Sequence, residues 1–131
     1  MKKVILITTL VSFAFASNSV EVLFDSKCSI CHSKIQPTDM NKVIAPAIMG
    51  VMRHIKMEFK GDKEKAVDFM ADFILNPTKE KSICKPKKLE KFGLMPSQKG
   101  IVTLQEAKDI SSYLYDNFPP AGFRGMGQRG R

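Results

Sequence analysis

The 131-residue chain has little of what β proteins and membrane-spanning proteins are built from. Between residues 17 and 118 no run of β-branched residues alternates with polar ones around hairpin turns, so strands are not expected and the predicted fold class is all-α. The apolar run from Val4 to Phe15 is shorter than the roughly 20 residues that a spanning helix needs. Trp is absent and aromatic residues make up only 8% of the sequence. Few large side chains are therefore available to fill a core.

The short apolar run has the flanking residues of a secretory signal peptide. Lys2 and Lys3 precede it, and Ala14-Phe15-Ala16 provides a small-x-small cleavage site at its end. We expect residues 1–16 to be removed on export to the periplasm, with a retained membrane anchor as the less favoured alternative. No cysteine lies at the cleavage site, so a lipoprotein anchor is not indicated.

Two of the three cysteines lie in the segment Cys28-Ser29-Ile30-Cys31-His32. Two thiols followed directly by an imidazole are typical of covalent haem attachment, in which both sulfurs form thioethers with the haem and the histidine binds its iron. A Cys-x-x-Cys pair also occurs in zinc sites and in thiol-redox centres. A zinc site usually needs a second ligand pair, and a redox centre is expected beside a βαβ pattern. Neither is found in the sequence, so haem attachment is the favoured hypothesis.

Cys84 is left over if Cys28 and Cys31 hold a haem. A buried free thiol is the preferred interpretation of this residue, because free cysteine is among the most buried residue types. A surface thiol that joins two chains is the alternative.

Apolar periodicity predicts helices around the Cys-x-x-Cys-His segment and further along the chain. The first is expected to begin at Asn18 and to carry both thiols on its buried face. The others are predicted over 51–59, from an Asp62 cap to Asn76, and from a Thr103–Glu106 capping box to Asn117 or Phe118. The segment over 33–50, which contains Pro37 and Pro46, is predicted to be irregular.

A methionine lies in a turn-like segment far from the cysteines. In Phe92-Gly93-Leu94-Met95-Pro96, Met95 is held between a glycine and a proline and has no helix in which to pack. Four other residues compete with it as a haem ligand: Met70 and His54 on predicted helices, and Met40 and Met49 in irregular sequence. Met70 lies on an apolar stripe and is predicted to fill the core.

Basic residues exceed acidic ones by 21 to 13, and 19 to 13 remain if Lys2 and Lys3 are removed. Many lysines fall between residues 78 and 100, a pattern usual for a solvated face. The Gly- and Arg-rich tail, residues 119–131, is predicted to be disordered. Because the chain is expected to be exported, a nucleic-acid partner is not expected. Weak contact of the tail with an anionic membrane or protein surface is predicted, and a tail without function is an equal alternative.

The order of haem-binding helix, apolar proline loop, middle helices, Gly-x-Met-Pro turn and closing helix resembles the class I cytochrome c family over residues 18–118. The resemblance implies a domain over residues 17–118 in which four or five helices wrap around one haem c, with the N- and C-terminal helices in contact. It further implies that Cys28 and Cys31 carry the thioethers, and that His32 and Met95 are the axial iron ligands. Pro46 matches the proline whose carbonyl accepts a hydrogen bond from the proximal histidine.

The function that this resemblance implies is electron transfer rather than catalysis, because both axial positions of the iron would be filled. We expect a monomeric periplasmic carrier whose lysines near Met95 meet acidic docking faces on redox-protein donors and acceptors. Two alternatives remain open: a haem enzyme or sensor from which Met95 dissociates, and a haem-free zinc or thiol-redox module.

Overall fold

Over the part of the chain that the structure describes, the regular structure consists of five α-helices. The computed structural model describes residues 14–124, with side chains in the first helix described from Ser19 onward. The helices are α1 (Ala14–Lys27), α2 (Ile48–Glu58), α3 (Lys63–Leu75), α4 (Pro86–Phe92) and α5 (Leu104–Asn117). No strand occurs within residues 14–124, which confirms the all-α prediction.

Two predictions concern segments that fall mostly outside this range. Residues 1–13 of the expected signal peptide and residues 125–131 of the expected tail lie outside the described residues. Within residues 14–124, no helix combines the length and the apolar character needed to cross a membrane.

The starts of α3 and α5 agree with the capping signals in the sequence. Asp62 accepts a hydrogen bond from the Lys65 backbone N–H at 3.2 Å. At α5 the Thr103 Oγ1 accepts from the Glu106 N–H at 3.2 Å, and Glu106 Oε2 accepts from the Thr103 N–H at 2.7 Å. These side chains bond to amides that have no partner within the helix, which confirms both predicted starts.

Two helix starts differ from prediction, and one helix was not predicted at all. Helix α1 already includes Ala14, so Asn18 lies inside the helix and the predicted cap there is wrong. Helix α2 begins at Ile48, directly after Pro46-Ala47. Helix α4 was not predicted, because the lysine-rich composition concealed its signals: Pro86 in the first turn and Gly93 at the end.

The core is formed chiefly by α3 against α5, with α1 packed on α5. Ala66, Ala71 and Ala107 are almost fully buried, and such small side chains let helices approach closely. Phe24 of α1 and Leu114 of α5 belong to the same buried cluster. The predicted contact between the N- and C-terminal helices is thereby confirmed.

Ion pairs fix the helices and the segment after the cysteines. Lys63 and Lys108 pair with Asp116 and Asp68, at 2.8 and 2.9 Å, and so join α3 to α5. Lys34 reaches back to α1, where its Nζ lies 2.8 Å from Glu21 and 2.7 Å from Asp25. The segment that follows His32 is therefore held against α1.

Candidate functional site

The Cys-x-x-Cys-His segment forms a tight turn at the end of α1. The Cys28 N–H donates to the Phe24 carbonyl at 2.8 Å, and the His32 N–H donates to the Cys28 carbonyl at 2.9 Å. Cys28 is half-buried, whereas Cys31 is exposed. The prediction that both thiols are buried is thus wrong for Cys31: the α-helix ends at Lys27, so helical periodicity no longer sets the direction of the Cys31 side chain.

The imidazole of His32 is oriented by the proline loop. Its Nδ1 lies 2.8 Å from the Pro46 carbonyl oxygen. Because a carbonyl can only accept, Nδ1 carries the proton and Nε2 keeps a free lone pair. Burial lowers the pKa of His32, although the hydrogen bond to Pro46 opposes this shift. Burial therefore favours the neutral imidazole, which is the form that binds a metal.

Burial also determines the chemistry of Cys28. Desolvation, and then the neighbouring Cys31 thiol, raise the pKa of Cys28 to about 11. A thiol-redox centre needs a nucleophilic cysteine whose pKa is lowered. The environment of Cys28 therefore does not suit that role.

Met95 lies in the turn that links α4 to α5. Gly93 ends α4 with φ 72°, and its N–H donates to the Leu89 carbonyl at 2.8 Å. Beyond Met95 the chain is tied to the end of α3, because Ser97 Oγ donates to the Leu75 carbonyl at 2.6 Å. Met95 is thus held between two anchored points without being part of a helix.

One cavity brings these residues together. Cys28, His32, Pro46 and Met95 all line it, and its volume is about 150 Å³. The remaining walls are almost entirely apolar and come from all five helices; they include Phe24, Ile48, Val51, Met52, Ile55, Phe69, Met70, Phe73, Ile74, Ile83, Leu89, Phe92, Leu94, Ile110 and Leu114.

The donor set beside this cavity is of the kind that holds a haem c, although Cys31 is not among the residues that line it. A half-buried thiol with a second thiol three residues on can form the thioethers, and a neutral imidazole and a thioether sulfur can act as axial ligands. Ser111, a polar residue in the apolar wall, is satisfied because its Oγ donates to the Ala107 carbonyl at 2.7 Å. Among the described residues, no group of three or more His, Cys, Asp or Glu side chains is arranged to hold a metal ion.

The rival ligands are placed differently. His54 is exposed and lines a second cleft together with Met40. Met49 lies in the first turn of α2 rather than in irregular sequence, and it does not line the cavity. Met70 is 7% exposed, which confirms its prediction as a core residue, but it also contributes to the cavity wall.

Two features of the site were missed by sequence reasoning. Met52 is fully buried in the cavity wall, and the helical spacing of Ile48, Met52 and Ile55 is the signal that could have revealed it. Cys84 is exposed and lies where the cavity meets the second cleft, so the interpretation as a buried thiol is wrong.

The predicted lysines near Met95 are exposed: Lys87, Lys88, Lys91 and Lys99. Lys88 and Lys91 lie against the Phe92 ring, with Nζ 5.5 and 5.3 Å from its centroid. Phe92 itself lines the cavity. Positive charge is therefore concentrated at the α4 side of the cavity.

Comparison with known proteins found a relative in Aquifex aeolicus (strain VF5). The two sequences are 27% identical over 109 residues, covering 73% of this chain and 71% of the relative, which is described as an uncharacterized protein. No family model matches the chain, and no solved structure matches it.

Proposed function

We propose that the chain is an exported class I c-type cytochrome, a monomer that carries single electrons between redox proteins with acidic docking faces. The observation that supports this most strongly is the meeting of Cys28, His32 and Met95 at one apolar cavity, although Met95 lies far from the other two in sequence. Export to the periplasm rests on the signal-peptide pattern of residues 1–16.

Each site residue has a role in this proposal. Cys28 and Cys31 hold the haem covalently, and Pro46 fixes the His32 ring with Nε2 free to bind iron. Met95 supplies a soft, neutral sulfur that favours the ferrous state. A bound haem would supply one-electron chemistry, at a potential that His32 and Met95 together would hold above that of a bis-histidine pair.

The surroundings of the cavity support a carrier more than a catalyst. If His32 and Met95 both held the iron of a haem, a substrate would find no open position on it. The exposed lysines around Phe92 carry no carboxylate partner among the described residues. Unpaired surface cations steer acidic partners and increase association rates more than affinity.

The test is expression in a host that performs haem maturation, followed by mass and visible spectra. We expect a covalently attached haem, a six-coordinate ferrous spectrum and no prompt binding of carbon monoxide. Met95→Ala should keep the haem but lose the weak ferric band of a sulfur–iron bond, lower the reduction potential and admit carbon monoxide. Met70→Leu is the matched control, because it should cost less than about 1.5 kcal/mol of stability and leave the spectrum unchanged.

Three results would contradict this assignment. A chain without covalent haem would support the zinc or thiol-redox module instead. Prompt carbon monoxide binding by the unaltered protein would support an enzyme or sensor. A sulfur band that survives in Met95→Ala but disappears in Met70→Leu would move the axial ligand to α3.

A further inference from the structure

A second cleft adjoins the central cavity and has a different chemical character. The two share Pro46, Cys84, Lys88 and Phe92 in their walls. The volume of the second cleft is about 420 Å³. This cleft lies between the proline loop, α2 and the start of α4, and the Met40 carbonyl in its wall accepts a hydrogen bond from Lys91 Nζ at 3.4 Å.

The charged groups in this second cleft are all basic. Arg53 and His54 come from α2, and Lys85 and Lys88 come from the start of α4. No Asp or Glu is among the residues that line it. Within residues 14–124, Arg53, Lys85 and Lys88 form no ion pair with a carboxylate. We call these four residues the basic cluster.

The positive charges of the basic cluster affect the pKa of His54. Burial, and then the charges of Arg53, Lys85 and Lys88, lower the pKa of His54. The other titratable group in the cleft is the Cys84 thiol. An anion placed among these residues would relieve the repulsion and favour the protonated imidazole, so its binding would take up a proton and strengthen as pH falls.

The rest of the cleft is mostly apolar, with Pro37, Met40, Val43, Ala47 and Phe123 in its walls. These apolar walls lie beside the basic cluster, where they can contact the non-polar part of a ligand. Guanidinium and ammonium groups around an apolar floor suit a ligand that carries carboxylates on an apolar body.

We propose that the second cleft is a carboxylate-binding site in which the basic cluster holds one or two carboxylate groups. These groups have two available sources. One is the pair of propionates of the haem, which would enter through the wall that the cleft shares with the central cavity; this form rests on the proposed function. The other is a small carboxylate taken up from solution.

Two measurements on the purified, haem-loaded protein distinguish the sources. The first is a citrate titration followed by backbone amide shifts over residues 47–54. The second is the reduction potential measured between pH 5 and 9. The variants are Arg53→Gln, His54→Gln and Lys88→Gln, and Lys60→Gln is the matched control because Lys60 is exposed and lies outside the cleft.

If the carboxylates come from solution, citrate shifts these amides more strongly at pH 5.5 than at pH 8. Arg53→Gln then weakens citrate binding by about tenfold, the effect expected from loss of one charge-assisted hydrogen bond. If the propionates occupy the cleft, citrate has no effect. Arg53→Gln and Lys88→Gln then lower the reduction potential and make it depend on pH near neutrality, while Lys60→Gln does neither.

The proposal is overturned if the three cleft variants match Lys60→Gln in both measurements. If the purified chain carries no haem, the proposed function fails, and the citrate titration alone decides the cleft. Amide shifts that vanish in Arg53→Gln would then support a site for a soluble carboxylate, and no shifts would refute the site.

Discussion

Gly93 is the residue whose replacement tests the turn before Met95 most directly. Its backbone, with φ 72° and ψ −178°, lies in a region that is almost exclusive to glycine. A Cβ added there would meet no heavy atom within 4 Å. The cost of alanine is therefore one of backbone conformation, about 1–3 kcal/mol. We expect Gly93→Ala to lower the free energy of unfolding by that amount, a large share of the roughly 5–15 kcal/mol typical of a domain.

The effect should extend to Met95, two residues further on. The far side of the turn is fixed, because the Gln98 N–H donates to the Ile74 carbonyl at 3.0 Å and Ser97 bonds to Leu75. If the backbone at Gly93 relaxes, the segment before Ser97 must move while α3 stays in place. In the proposed cytochrome, the ferric sulfur–iron band should weaken in the same variant.

Gly50→Ala provides the matched control. Gly50 lies inside α2 without a positive φ, and a Cβ there also meets nothing within 4 Å. Alanine should stabilise this position by about 0.5–1 kcal/mol. Both variants would be measured by urea unfolding followed by circular dichroism at pH 7. Equal shifts in the two would refute the role assigned to the Gly93 conformation, and an unchanged sulfur band in a destabilised Gly93→Ala would refute its link to Met95.

Two further predictions concern the lysines. Burial lowers the pKa of Lys34, but the hydrogen bonds of Lys34 to Asp25 and Glu21 outweigh burial and raise this pKa to about 12. The hydrogen bond between Lys34 and Glu21 also lowers the pKa of Glu21 below its usual value of 4.5. The stability that Glu21 contributes is thus present above pH 4.5 and is lost as pH falls through its lowered pKa. The stability that Lys34 contributes is lost as pH rises through about 12. Urea unfolding at pH 7 and pH 3 should therefore show a smaller acid loss in Lys34→Met than in Lys34→Arg; equal losses would exclude the pairing. The second prediction concerns the rate of electron transfer to an acidic partner, measured by stopped flow. Lys88→Glu and Lys91→Glu should react more slowly than Lys60→Glu at low salt. This difference in rate should disappear as the Debye length falls from about 10 Å at 0.1 M to about 3 Å at 1 M salt. Equal rates at low salt would refute the proposed docking face around Phe92.

Elements with complete local signals were predictable from the sequence. Helices α3 and α5 have a capping residue at the start, a continuous apolar stripe and a clear stop, and all three signals act within a few residues. The thiols and His32 were predictable for the same reason, since they lie within five residues. Helix α4 has only seven residues and no buried face, so periodicity could not indicate it.

Features that arise where distant segments meet were beyond local reasoning. The second cleft joins the proline loop, α2 and the start of α4, and nothing in any one of these segments marks it. The exposure of Cys84 is a similar case. It lies in the irregular segment between α3 and α4, where no periodicity assigns a buried face, and its N–H is bonded locally to Ser82 Oγ at 3.3 Å. The general tendency of free cysteine to be buried predicted a buried thiol, and that prediction is wrong for Cys84.

In the proposed cytochrome, burial alone would not identify the methionine that binds the iron. Met52, Met70 and Met95 all line the central cavity, and the first two are more buried than Met95. On a helix, however, packing of the whole apolar face fixes where a side chain lies, so α2 and α3 cannot adjust a sulfur without disturbing the core. Met95 instead lies between Gly93 and the Ser97 anchor, outside any helix, and its sulfur can be positioned by the turn alone. The backbone around a methionine, rather than its degree of burial, therefore favours Met95 as the ligand.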